Sequence, residues 1–212
     1  PTLLVAQLLT LLYNIVDRIY IARIPGVGTA ALGAVGLCFP IIVIITAFSN
    51  LFGTGGAPLF SIARGQKNTV QAGKILNTSF FLLSVCSLLL MILGFLFARP
   101  FLVLFGASDQ ALVYAYPYLM IYLLGTFPSM IATGMNPFIN AQGYSLIGML
   151  SVAIGAAANL VLDPLFIFIL GFGVRGAAIA TVISQYISAG FVLFFSCACR
   201  QTIPFFISIC FF

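Results

Sequence analysis

The sequence predicts an all-α integral membrane protein, a bundle of six transmembrane helices. Three observations carry that expectation. Of 212 residues, 63% are hydrophobic and only 5% charged, whereas soluble domains carry about 25% charged residues. The apolar residues fall into runs of about twenty, the length a helix needs to cross a bilayer. The basic residues sit at the ends of those runs, as interfacial charges do. A transmembrane barrel is excluded because its strands would be about ten residues long with alternating polarity. The net charge of +5 rests on eight scattered basic residues, which is no phosphate-binding patch, so nucleic acid is not an expected partner.

The first span covers about residues 3–24 and embeds Gln7, Tyr13, Asn14, Asp17 and Arg18. Pro25-Gly26-Val27-Gly28 reads as a turn. The second span, about 29–51, is expected to bend at Pro40 and to continue as helix toward Ile62. Arg64-Gly65-Gln66-Lys67-Asn68, with Lys74, is the most polar connector. The third span, about 75–97, carries no charge and should end at Arg99-Pro100. Gly106-Ala107-Ser108-Asp109 reads as a turn and helix cap.

The fourth span, about 111–135, is expected to bend at Pro117 and Pro128, and Asn136-Pro137 through Gly143-Tyr144 reads as a connector. The fifth runs over about 145–170. A tight connector, Gly171 to Gly176, leads to the sixth, about 177–199. Residues 200–212 read as a connector and the start of a further span. The chain opens in the middle of a helix without Met, so the expectation is of a partial protein. The cluster Arg64, Lys67 and Lys74 places the connector after span two in the cytoplasm by the positive-inside rule.

The chemistry is concentrated in Asn159-Leu160-Val161-Leu162-Asp163-Pro164. Asn159 and Asp163 are four apart and share a helix face. Pro164 has no N–H, so the Leu160 carbonyl loses its partner and the helix is free to bend. A carboxylate at the centre of a membrane helix costs roughly 2.5–3.5 kcal/mol, which a bound cation or proton offsets. Tyr13 with Asp17 on span one, and Thr181 with Gln185 on span six, repeat the same spacing. If these helices face one another, the pairs build one polar pocket. Two carboxylates there repel, so one exchanges protons, or their oxygens join the amide and hydroxyl around a hard monovalent cation. For Asp17 a plainer reading stays open, an interfacial carboxylate paired with Arg23 or a neighbouring helix.

Other signals read as structure. Histidine is absent, which removes Ser/His and Cys/His nucleophile pairs, and no enzyme activity is expected. Cys38 and Cys86 read as small packing residues, and Cys197-Ala198-Cys199 lacks a second pair for a metal site. Gly53-Thr54-Gly55-Gly56 lacks the Lys-Ser/Thr of a P-loop. Gly33-Ala34-Val35-Gly36 and Gly176-Ala177-Ala178-Ile179-Ala180 read as close-packing faces.

Four segments carry a resemblance. They are Tyr13-Asn14-Ile15-Val16-Asp17-Arg18-Ile19-Tyr20-Ile21, Ala30 to Gly36 with Pro40, Asn159 to Pro164, and Gly173 to Thr181 continuing to Ser184-Gln185. In this order they resemble the multidrug and toxic compound extrusion (MATE) family, and are similar to its bacterial branch of DinF-like and MepA-like exporters. The resemblance implies one six-helix lobe, residues 1–199, of a twelve-helix antiporter. It also implies a coupling-ion site at Asp17, Asn159, Asp163 and Thr181. From spacing and proline chemistry, Tyr13, Gln185, Pro164 and Pro40 are expected to line the cavity or bend helices. The connector at Asn136 to Gly143 departs from the family in carrying no basic residue.

The expected function is proton- or sodium-coupled export of bulky, often cationic organic compounds across the cytoplasmic membrane. The expected partners are a small-molecule substrate, the lipid bilayer and a C-terminal lobe, with no cofactor beyond the coupling ion. Two rivals are a lipid-linked oligosaccharide flippase of the same superfamily and a non-transporting membrane fragment or subunit.

Overall fold

The computed structural model of the chain describes residues 2–198, which are almost wholly helical. Seven α-helices follow one another: α1 (Thr2–Ala22), α2 (Gly28–Gly65), α3 (Thr69–Leu104), α4 (Asp109–Leu124), α5 (Thr126–Ala141), α6 (Ser145–Pro164) and α7 (Val174–Ala198). Among the described residues, five segments are long and apolar enough to cross a membrane, and α4 with α5 makes a sixth as one span broken by 56°. The resulting architecture is the expected six-span bundle. The expected connector and further span over residues 200–212 lie outside the described residues.

The helices begin and end where local chemistry directs. The Asn68 side chain accepts from the Gln71 N–H at 3.0 Å and caps α3, while the Ser108 hydroxyl accepts from Ala111 N–H at 3.3 Å and caps α4. Each satisfies an amide that the first turn of a helix leaves free. Gly106 turns with φ +88°, a conformation L side chains resist, as its place in the predicted turn requires.

Three boundaries differ from the sequence reading. The third span does not stop at Arg99-Pro100; α3 runs through both to Leu104. A helix tolerates proline when the freed carbonyl lies near the water interface or is met by a neighbour. The stretch from Asn136 is also helical as far as Ala141, and only residues 142–144 connect. The fourth span, expected as one bent helix, breaks at Gly125. Pro40 and Pro58 both lie within α2 and do not interrupt it.

Helix α2 lies against α3 and α5, and α6 against α1 and α7. Among the core side chains are Phe60, Leu83, Leu119, Met130, Met135, Phe138 and Ile139, with the Phe60 and Phe138 rings edge to face at 5.7 Å. Small residues set the closest approach. A Cβ on Gly53 would stand 2.5 Å from the Gly134 carbonyl oxygen and one on Gly176 would stand 2.6 Å from the Phe166 carbonyl oxygen, so in both places two backbones touch. Ala177, Ala178 and Ala180 are buried as expected. Gly33 and Gly36 are not packing residues: nothing lies within 4 Å of a Cβ built on either, whereas Ala34 is buried and Val35 packs partly against the core.

Candidate ion-binding site

One face of α6 carries Gly148, Ser151, Gly155, Asn159 and Asp163, spaced by three and four residues so that they line up along the helix. The upper half of this stripe is the predicted pocket. Asp163 is fully buried and Asn159 is 2% exposed. The Asn159 amide donates to Asp163 Oδ1 at 3.2 Å and makes a longer contact to the Thr181 hydroxyl at 3.4 Å. Thr181 in turn donates to its own helix, at the Ala177 carbonyl, at 2.9 Å. The Thr181 hydroxyl is thus bonded to its own backbone, as membrane threonines commonly are, and also meets Asn159 of the pocket.

Asp17 completes the site from α1. Its carboxyl group faces that of Asp163 at hydrogen-bonding range, and its Oδ1 is buried without a hydrogen-bond partner. The geometry places Asp17 beside Asp163, with Arg18 still within electrostatic range of its carboxyl group. Asp17 is turned into the bundle, and the neighbouring Arg18 points elsewhere, its guanidinium carbon 5.5 Å from the centroid of the Phe39 ring. Adjacent residues on a helix point apart, so this separation follows from the sequence order itself. Tyr13, one turn earlier on α1, lies within electrostatic range of both carboxyl groups.

Four acceptor atoms around this pocket are buried without a hydrogen-bond partner: Asp17 Oδ1, Asn159 Oδ1, Asp163 Oδ2 and Gln185 Oε1. Leaving a buried acceptor unmet costs about 1–3 kcal/mol, and more for a charged one. Oxygen from carboxylate, carboxamide and hydroxyl is the donor set of a hard cation such as sodium. A proton shared between the two carboxyls removes the same repulsion by another route.

The site has residues the sequence reading missed. Tyr118 and Tyr122 on α4 are buried, with stacked rings whose centroids are 6.2 Å apart. Tyr118 lies in electrostatic range of Asp17 and Asp163, and the Tyr122 hydroxyl is 3.5 Å from Gln185 Nε2. Their i,i+4 spacing beside Pro117 was the available signal. The lower half of the α6 stripe is a second polar cluster. The Asn136 amide donates to the Gly148 carbonyl and to the Ser151 hydroxyl, each at 2.9 Å, Asn140 donates to Asn136 Oδ1 at 3.0 Å, and Ser188 donates to the Ser151 carbonyl at 2.9 Å. This cluster ties α5, α6 and α7 together below the pocket.

Pro164 ends α6 one residue after Asp163, and Leu165–Ile169 continues as a turn of π-helix, with Leu170 N–H bonded to the Leu165 carbonyl at 2.9 Å. The bend expected of Pro164 is thus taken up as a wider helical turn, a feature common beside functional sites.

Comparison with known proteins agrees with this architecture. The MatE family model matches residues 2–165. The chain is 28% identical over 203 residues to the multidrug export protein MepA of Staphylococcus haemolyticus, covering 96% of this chain and 44% of that protein. It is 28% identical over 180 residues to a FAD transporter of Shewanella oneidensis, covering 83% of this chain and 39% of that protein. A solved structure described as the outward-facing conformation of a multidrug resistance MATE family transporter superposes with TM-score 0.88 at 27% identity, over 95% of this chain and 44% of that one. The chain thus spans less than half the length of these proteins.

Proposed function

We propose, from the premise that this chain belongs to the MatE family, that it forms the ion-binding lobe of a cation-coupled exporter of organic compounds. The observation that carries the reading is the pair of facing carboxyls, Asp17 and Asp163, with unpartnered oxygens inside membrane-spanning helices. Such groups are expensive in a bilayer and mark ion or proton pathways.

The mechanism follows from that pair. With both carboxylates charged, α1 and α6 repel where they meet. A proton or a sodium ion at Asp17, Asn159, Asp163 and Thr181 removes the repulsion and lets the two helices close. Closure narrows the side of the pocket lined by Tyr13, Tyr118 and Tyr122, and a bulky substrate held there is displaced. Aromatic faces in a water-poor cavity attract cations, which supports an organic, often cationic cargo. The multidrug export named for the Staphylococcus haemolyticus relative supports an organic cargo.

Transport by alternating access needs one repeat to move against another. The chain is therefore assigned to work with a second six-helix lobe, in the cytoplasmic membrane, with the connector at Arg64 to Asn68 on the cytoplasmic side. The test is efflux of a fluorescent organic cation from proteoliposomes holding the two-lobed transporter, under a proton gradient and a sodium gradient imposed separately. Efflux driven by either gradient supports the reading and identifies the ion. Equal efflux with no gradient overturns it.

A further inference from the structure

The break in the fourth span lies beside the pocket, and its chemistry is incomplete without α7. Pro128 has no N–H, so the carbonyl of Leu124, four residues earlier, lacks its helical donor. Gly125 N–H bonds the Tyr122 carbonyl at 2.9 Å, a tighter turn, and Ser129 N–H resumes the α pattern on the Gly125 carbonyl at 2.9 Å. The span bends by 56° across these residues.

Two consecutive residues of α7 reach this break. The Tyr186 hydroxyl donates to the orphaned Leu124 carbonyl at 3.4 Å, at the long end of the hydrogen-bond range. Gln185 packs its Oε1 onto the α-carbon of Gly125, in the space a side chain there would need, with Val182 Cγ2 and the Tyr122 carbonyl also around it. The other end of the Gln185 amide stands 3.5 Å from the Tyr122 hydroxyl. Both Gln185 Oε1 and the fully buried Thr126 hydroxyl lack a partner, so the break holds acceptor capacity that a change in bend can satisfy. Gln185 follows Thr181 by one turn on the same face of α7, and Thr181 contacts Asn159 of the acid pocket.

We propose that Gln185 and Tyr186 are positioning residues that set the bend at Gly125 and tie it to the occupancy of the Asp17–Asp163 pair, so that ion binding re-angles α5 against α4. The proposal rests on the reading of the acid pair as the ion site. The groups that face that pair are Tyr13 from α1 and Tyr118 from α4, with Arg18 adjacent on α1. Neither Gln185 nor Tyr186 needs to touch the ion or the cargo for the link to work. A bend of this kind is biased only by as much as the ion's binding differs between its two angles.

The experiment is a distance measurement across the break by electron spin resonance. Spin labels are placed at Val113 on α4 and Thr133 on α5, both exposed, in the two-lobed transporter in lipid nanodiscs with its native cysteines replaced. The distance is read at high and low proton and sodium concentration. The expected result is an ion-dependent shift in the unmodified protein, lost in Asp163→Asn and lost or strongly reduced in Gln185→Leu and in Tyr186→Phe. Tyr186 is half exposed, so its variant keeps the fold if Gln185→Leu does not. A shift retained at full size in Tyr186→Phe and in any folded Gln185→Leu protein overturns the proposal, as does a distance in the unmodified protein that ignores the ions. Either failure leaves gradient-driven efflux intact as a separate result, so it is distinguishable from failure of the ion site itself.

Discussion

Asp17 on α1 and Asp163 on α6 turn their carboxyl groups toward each other across the bundle, although 146 residues of sequence (163 minus 17) separate them. No basic side chain of α6 is available to Asp163, because that helix has none. The pair is held in place by its neighbours, Asn159 bridging to Thr181, while its own outward oxygens stay unmet.

Asp163→Asn removes one charge and keeps the shape of the side chain. Gradient-driven efflux should fall to the passive level in proteoliposomes. The same variant should unfold at an equal or higher temperature than the unmodified protein, since a membrane-buried carboxylate costs roughly 2.5–3.5 kcal/mol and a carboxamide costs less. Lower thermal stability with full efflux would assign Asp163 a structural role instead.

Thr181 separates oxygen chemistry from packing. Thr181→Ser keeps the hydroxyl that meets Asn159, and Thr181→Val keeps the shape without it. The serine variant should retain the ion concentration needed for half-maximal efflux. The valine variant should raise it by about two- to tenfold, the equivalent of a lost hydrogen bond of roughly 0.5–1.5 kcal/mol. Equal behaviour of the two would remove Thr181 from the ion site.

The glycines give a stability test independent of transport. Gly53→Ala places a methyl group 2.5 Å from the Gly134 carbonyl oxygen, and backbone does not yield as a side chain does. Overpacking of this kind costs about 1–3 kcal/mol, read as a drop in unfolding temperature in detergent. Gly33→Ala meets nothing within 4 Å and should be neutral or stabilising by up to about 1 kcal/mol from helix propensity.

That contrast also shows what a single sequence can carry. The six spans were legible because a bilayer imposes one length and one polarity on each crossing. The pocket was legible because a carboxylate such as Asp163 in an apolar run has few alternative explanations. The packing faces were only half legible: Gly33 and Gly53 have the same composition signal, and only the neighbouring helix distinguishes them. Tyr118 and Tyr122 escaped because aromatic residues are ordinary in membrane helices. The bend of the fourth span was legible from Pro128, which removes a donor; its position at Gly125 was not, because Tyr186 meets the freed carbonyl from sixty-two residues away along the chain.

Pro164 offers the last test, because two effects on stability nearly cancel there and leave function exposed. Pro164→Ala supplies an N–H that can bond the Leu160 carbonyl, worth about 0.5–1.5 kcal/mol. It also frees the unfolded chain, which costs about 0.4–1 kcal/mol. The net change in unfolding should therefore stay within about 1 kcal/mol. Transport should respond more strongly. The π-helical turn at Leu165–Ile169 begins at Pro164, next to the buried Asp163, and an N–H at this position favours a regular α-helix through the site. Turnover under a saturating ion gradient should fall while ion affinity holds. Unchanged turnover at unchanged stability would show that the π turn is set by the loop after it and that Pro164 contributes nothing to the motion of α6.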